Sequence, residues 1–128
     1  MTYHFTKRVS YSYPEALEKT KEALGKEGFG VISEIDLKDK FKEKLGVDFR
    51  EYKILGACNP KLAFQAIEQE DKIGTMLPCN VLVQEHESGE VEITAINPME
   101  TMSAIGNTQL ESIAKEVSQK LKTVIDSL

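Results

Sequence analysis

The sequence predicts an α+β fold: one compact domain over residues 1–128, with a sheet of about five strands packed with helices in the order β-α-β-α-β-α-β-β-α. Three observations predict it. Short runs of alternating or β-branched character recur between longer runs whose apolar residues fall every three or four positions. Helix starts are marked by two capping boxes and an Asn-Pro pair. Two neighbouring strand-like runs are separated only by Glu87-Ser88-Gly89, a hairpin turn in which glycine supplies positive φ.

Taken in order, residues 2–9 alternate, with Tyr3, Phe5 and Val9 on one side and His4, Thr6 and Arg8 on the other, and form the first strand. Ser12-Tyr13-Pro14-Glu15 caps a first helix that runs to about Gly28, with Ala16, Leu17, Thr20, Ala23 and Leu24 at helical spacing. Residues 29–35 are the second strand, and Asp36 then caps a short helix that aligns Leu37, Phe41 and Leu45. Residues 51–58 are the third strand, with Tyr52, Ile54 and Cys58 on the presumed core face. Asn59 at the cap and Pro60 at the first helical position start a helix bearing Leu62, Ala63, Ala66 and Ile67. Residues 80–86 and 90–97 are the hairpin strands. Thr108-Gln109-Leu110-Glu111 opens a long helix with Leu110, Ile113, Ala114, Val117, Leu121, Val124 and Leu128 on one stripe.

A chain of 128 residues buries roughly two-thirds of the surface its unfolded form exposes, enough for a core without disulfides. Its 41% hydrophobic and 29% charged residues are ordinary globular composition. A net charge of -5 argues against nucleic acid, whose phosphates require a local excess of Lys and Arg. No apolar run approaches the roughly 18 residues of a membrane span, and Met1-Thr2-Tyr3-His4 lacks the apolar core of a signal peptide, so the expectation is a cytoplasmic protein off the membrane. In that reducing compartment Cys58 and Cys79 are expected as free thiols.

Those two cysteines mark the best candidate site. Gly56-Ala57-Cys58-Asn59-Pro60 and Leu77-Pro78-Cys79-Asn80-Val81 nearly mirror each other, each pairing a thiol with an amide beside a proline that stiffens the backbone. If the third and fourth strands are neighbours, both sulfurs approach one end of the sheet. Cys58, one residue before a helix cap, then sits near the positive end of a helix dipole, a position that favours a reactive thiolate. Glu85 shares the parity of Cys79, which turns a carboxylate inward as a ligand-orienting acceptor. Set against this, small buried cysteines, a capping Asn59 and a loop Asn80 explain the same residues without any site.

No metal or cofactor is expected. Zinc wants four close ligands, and two cysteines with two histidines lack the spacing. Soft Cu(I) has Cys58, Cys79 and Met76, Met99 or Met102 as possible donors, but methionines that fill core gaps account for them equally well. His4 and His86 read as exposed polar or interface residues, and Gly25-Lys26-Glu27-Gly28-Phe29-Gly30 has neither the pattern nor the strand-to-helix context of a phosphate loop. Opposite the presumed core face, Ile32, Leu55, Leu82 and Ile96 leave an apolar surface that a helix or a second subunit must cover.

The stretch from Tyr52 through Cys58-Asn59-Pro60 to Ala63, followed by Met76-Leu77-Pro78-Cys79-Asn80 through Glu85, resembles the family called domain of unknown function 302. Asn97-Pro98, Met102 and Gly106-Asn107 resemble its C-terminal pattern. The resemblance implies a small bacterial or archaeal α+β fold that tends to form homodimers and has no established enzymatic activity. Its motif positions here are Cys58, Asn59, Pro60, Pro78, Cys79, Asn80 and Glu85.

Together these readings favour a homodimeric module that binds a small polar or anionic ligand at those seven residues, because a helix N-terminus offers free amides. The alternatives are a thiol redox protein, with Cys58 attacking and Cys79 resolving, and a purely structural interaction protein.

Overall fold

The computed structural model describes residues 2–128. Five strands, β1 (His4–Val9), β2 (Gly30–Asp36), β3 (Tyr52–Cys58), β4 (Cys79–Glu85) and β5 (Val91–Ile96), form one sheet in the order β1-β5-β4-β3-β2. Every neighbouring pair is antiparallel. The helices are α1 (Tyr13–Lys26), α2 (Leu37–Leu45), α3 (Pro60–Gln69), the one-turn α4 (Pro98–Thr101) and α5 (Thr108–Asp126). The fold is α+β, as expected.

Local chemistry starts the helices where the sequence marks them. The amides of Glu15, Asp39 and Leu62 donate to the side chains of Ser12, Asp36 and Asn59, each satisfying an N–H that its helix leaves free. At α5 the cap falls one residue earlier than expected. Asn107 Oδ1 accepts from Gln109 and Leu110, and its Nδ2 donates to the Gln69 carbonyl, tying the start of α5 to the end of α3. Two 3-10 turns, Asp71–Met76 and Ser103–Ile105, fill segments that carry no periodic signal.

One face of the sheet is the core face. Leu55, Val81 and Ala95 lie in a row with Phe5, beside a second row containing Val83 and Ile93. They pack with Leu24 of α1 and with Leu121, Val124 and Ile125 of α5 in the principal hydrophobic cluster. Each fully buried Leu, Ile or Val here stabilises the fold by about 1.5–3 kcal/mol. Lys7 also points to this side and donates to the carbonyls of Asp126 and Leu128, placing a cation at the C-terminal end of α5.

Strand β3 presents the face opposite to the one the sequence suggests. Leu55 and Ala57 point into the core, at 0% and 1% exposure, and Tyr52, Ile54 and Gly56 point away. Apolar residues stand on both faces of β3, so period-two patterning cannot choose between them. Pairing chooses, because Leu55 lies opposite Val81 and Ala57 opposite Cys79. The outer face therefore carries Ile35, Ile54 and Leu82 in one row and Ile96 in the next, without Leu55. Ile32 belongs to neither face: it is the extra residue of a bulge between Val31 and Ser33 in edge strand β2, and it is exposed.

The bulge seats Ser33 opposite Gly56, where room is scarce. A Cβ on Gly56 would run into Ser33 Oγ and lie 2.8 Å from Pro78 Cγ. The proline ring cannot swing aside, so this position admits only glycine. We expect Gly56→Ala to cost about 1–3 kcal/mol, read as a lower urea midpoint with an unchanged m-value; a midpoint equal to wild type would show that Ser33 and Pro78 yield freely.

Candidate functional site

The twin segments meet at the end of the sheet where β3 runs out and β4 begins. Ala57 pairs with Cys79, which makes Cys58 the next residue beyond that pair. Here the chain turns out of the sheet into α3, and Cys58, Asn59, Pro78 and Cys79 all reach the wall of one cleft. Ala63 and Ala66 of α3, Ala114 of α5 and Met102 close it from the other side. The cleft lies at the seam between the principal cluster, which includes Ala57 and Cys79, and a second cluster of Ala66, Ile73, Met102, Leu110 and Ala114. Its volume is about 30 Å³, room for roughly two water-sized groups. Three alanines standing where larger residues would fill the seam are what keep it open.

The remaining expected site residues lie elsewhere. Pro60, exposed at the first position of α3, is outside the cleft wall. Asn80 projects from the outer face, in a row with Gly56 and Ile96, because successive strand residues alternate sides. Glu85 keeps the parity of Cys79 but sits six residues along β4, about 20 Å away. There, with Glu51 and Asp36, it neighbours the Tyr13 phenol, which is held well above its ordinary value first by burial and then by those carboxylates. Both cysteines and the Asn59 amide reach the cleft; the Asn80 amide and the Glu85 carboxylate do not.

Asn59 is occupied in holding the fold. Its Oδ1 accepts from Leu62 N–H at 3.3 Å and its Nδ2 donates to the Glu27 carbonyl at 3.4 Å, so it both caps α3 and ties it to the end of α1. Ala63 N–H donates to the Asn59 carbonyl, and Pro60 has no N–H. In the first turn of α3 the Leu62 and Ala63 amides are thus engaged and Pro60 contributes none, which leaves only that of Lys61. The cleft wall itself is almost wholly apolar.

Both cysteines are free thiols, Cys58 partly exposed and Cys79 buried. Burial, and secondarily the neighbouring Cys58 thiolate, push the Cys79 thiol up to about 11. A second group that sequence reasoning passed over is Ser118, a polar residue on the apolar stripe of α5. Its hydroxyl donates to Asn97 Oδ1 at 2.7 Å and accepts from Met99 N–H at 3.0 Å, while Asn97 Nδ2 donates to the Thr2 carbonyl. This network fixes the corner after β5, and with it α4 and Met102, against α5.

Fold and site together define a small α+β protein with α1 and α5 packed on the core face of a five-stranded antiparallel sheet and two cysteines lining an apolar seam. The chain matches the model of the family described as Domain of unknown function DUF302 over residues 5–128, and it belongs to that family. It is similar in structure to an uncharacterised conserved DUF302 protein from Bacillus stearothermophilus, known from a crystal structure: 30% identity over 98% of each chain, with a TM-score of 0.91. No curated protein matches it. Among the described residues no helix is long and apolar enough to cross a membrane.

The raised Cys79 value has a consequence for stability. The folded state keeps this proton in a range where the unfolded chain has lost it, so the stabilisation is complete below about pH 9 and is lost as pH rises towards 11. Between pH 8 and 10 wild type should lose about 1–2 kcal/mol more than Cys79→Ala in urea titrations. Parallel losses in the two proteins would mean that Cys79 titrates normally.

Proposed function

We propose that this chain is a small-ligand-binding module that works as a homodimer, with the thiol-flanked cleft as its site and the outer sheet face as its dimer interface. The observation that carries the binding reading is the unfilled apolar seam at which two separate cysteines meet. Interiors are normally packed without such gaps. The wall favours a ligand of a few heavy atoms that is apolar or soft, in place of the polar or anionic one suggested by the helix N-terminus. A thiol redox role has less support, since the high Cys79 value disfavours the thiolate that exchange requires at neutral pH.

The dimer reading rests on the outer face. Helices α1 and α5 contribute to the core on the other side, and the outer face presents Ile35, Ile54, Leu82 and Ile96 in adjacent rows. Such a contiguous apolar surface is normally covered. Arg8, Glu92, Gln84 and Arg50 form a polar border along one side, with Arg8 and Glu92 3.5 Å apart and Arg50 donating to Gln84. None of Ile35, Ile54, Leu82 and Ile96 lines the cleft, so the two surfaces are distinct.

Xenon tests the cleft directly, because it enters small apolar cavities and perturbs the methyl groups around it. Under xenon pressure the methyl resonances of Ala57, Ala63, Ala66 and Ala114 should shift, and Ala63→Leu, which fills the space, should abolish the effect. Unmoved alanine methyls in wild type would end the binding reading. For assembly, light scattering should give twice the chain mass for wild type and the single-chain mass for Leu82→Glu, with both proteins folded by circular dichroism. Equal masses for the two would remove the outer face as an interface.

A further inference from the structure

The donors around the cleft are unusually uniform. Among the described residues its wall holds two cysteines, one methionine and no carboxylate or imidazole. The only other side-chain donor is the Asn59 amide, whose oxygen and nitrogen are already engaged by Leu62 and Glu27. Among the described residues no group of three or more His, Cys, Asp or Glu side chains is arranged to hold a metal ion, so the four-ligand set that zinc prefers is not offered there. Of the three methionines the sequence offers as partners for the thiols, the fold selects one. Met102 is 6% exposed and lines the cleft, whereas Met76 and Met99 are exposed and lie outside it.

We propose that the cleft binds one soft monovalent cation, Cu(I), between the Cys58 and Cys79 thiolates, with the Met102 thioether as a third donor. The inference rests on the ligand-binding reading and gives its ligand a chemical class. Thiolate and thioether sulfur select Cu(I) over the commoner divalent ions, and a closed-shell monovalent ion is satisfied by two or three donors. A volume of about 30 Å³ suits a single ion better than an organic molecule. On binding, Cu(I) forms two Cu–S bonds and displaces two thiol protons to solvent; no electron is transferred, because the copper arrives already reduced. The resulting centre carries one negative charge. Lys26, Lys61 and Lys120, against Glu27 and Glu116, line the adjoining groove that shares Asn59 and Leu62 with the cleft, so the nearest charged surface is net positive.

The Ser118–Asn97 network gains a role in this reading. By clamping the corner after β5 to α5, it holds Met102 at the cleft wall in the absence of metal, so the thioether is in place before an ion arrives.

The test is anaerobic transfer of Cu(I) from a colorimetric chelator to the purified chain. One equivalent should transfer, with thiolate-to-copper charge-transfer absorption appearing and Zn(II) failing to compete. Cys58→Ser and Cys79→Ser should each weaken competition at least about 100-fold, the upper end of what even outer partners of a metal command, and the volume-conserving Met102→Leu about 10-fold. X-ray absorption on the wild-type complex supplies a readout independent of any variant's folding, and it should count two or three sulfur neighbours and no nitrogen or oxygen. Absence of transfer, or equal transfer to the Cys58→Ala/Cys79→Ala double variant, overturns the proposal. If xenon enters the cleft and copper does not, the metal assignment falls while the ligand-binding reading stands; if neither enters, both fall.

Discussion

The register between β3 and β4 is the constraint on which the other features depend. Leu55 opposite Val81 and Ala57 opposite Cys79 decide in one stroke which side of the third strand is buried. A slip of one residue would send Leu55 and Ala57 outward and bring Ile54 and Gly56 in, exchanging a well-filled row for one with a gap. The same register puts Cys58 one residue beyond the Ala57–Cys79 pair at the end of the sheet, and it sets Gly56 where Ser33 and Pro78 close over it. Core, site and the tightest backbone approach in the sheet thus follow from one pairing.

The seam exists because the molecule has two hydrophobic clusters instead of one. Helices α1 and α5 pack on the sheet to make the first, while α3, the turn at Asp71–Met76 and the start of α5 make the second beyond the end of the strands. Helix α5 spans both, contributing Leu121, Val124 and Ile125 to one and Leu110 and Ala114 to the other. Where the two meet, four alanines, Ala57, Ala63, Ala66 and Ala114, and both cysteines stand among the larger apolar residues of the lining. A pair of leucines there would fuse the clusters and seal the space, adding stability of the order of a few kcal/mol. That the seam stays open, flanked by two thiols from distant parts of the chain, is the physical basis for assigning a site here.

Much of the frame was legible in the residues. Ser12, Asp36 and Asn59 cap helices as their types and neighbours dictate, because a cap bond spans only three residues and depends on little else. The alternation of β1 and the stripe of α5 were readable for the same reason: one face of each is apolar and the other polar. The two thiol segments were recognisable as a pair, and four of their members, Cys58, Asn59, Pro78 and Cys79, do meet. Glu85 was misjudged because parity says which face a residue takes and nothing about how far along the strand it lies. Ser118 went unnoticed because its partners, Asn97 and Met99, stand about twenty positions away.

What the sequence determined by itself is therefore local: element types, helix starts, the hairpin and the presence of twin thiol-amide segments. Tertiary structure alone decided which face of β3 is inside, that Ile32 drops into a bulge, that Asn80 parts company with Cys79, and that Met102 and the alanines of α3 and α5 enclose the thiols. The reason is that caps and periodicity act over a few residues, whereas a sheet face with apolar side chains on both sides is chosen by the strands paired to it. A cleft at a seam belongs to the packing of whole elements and to none of the segments that line it.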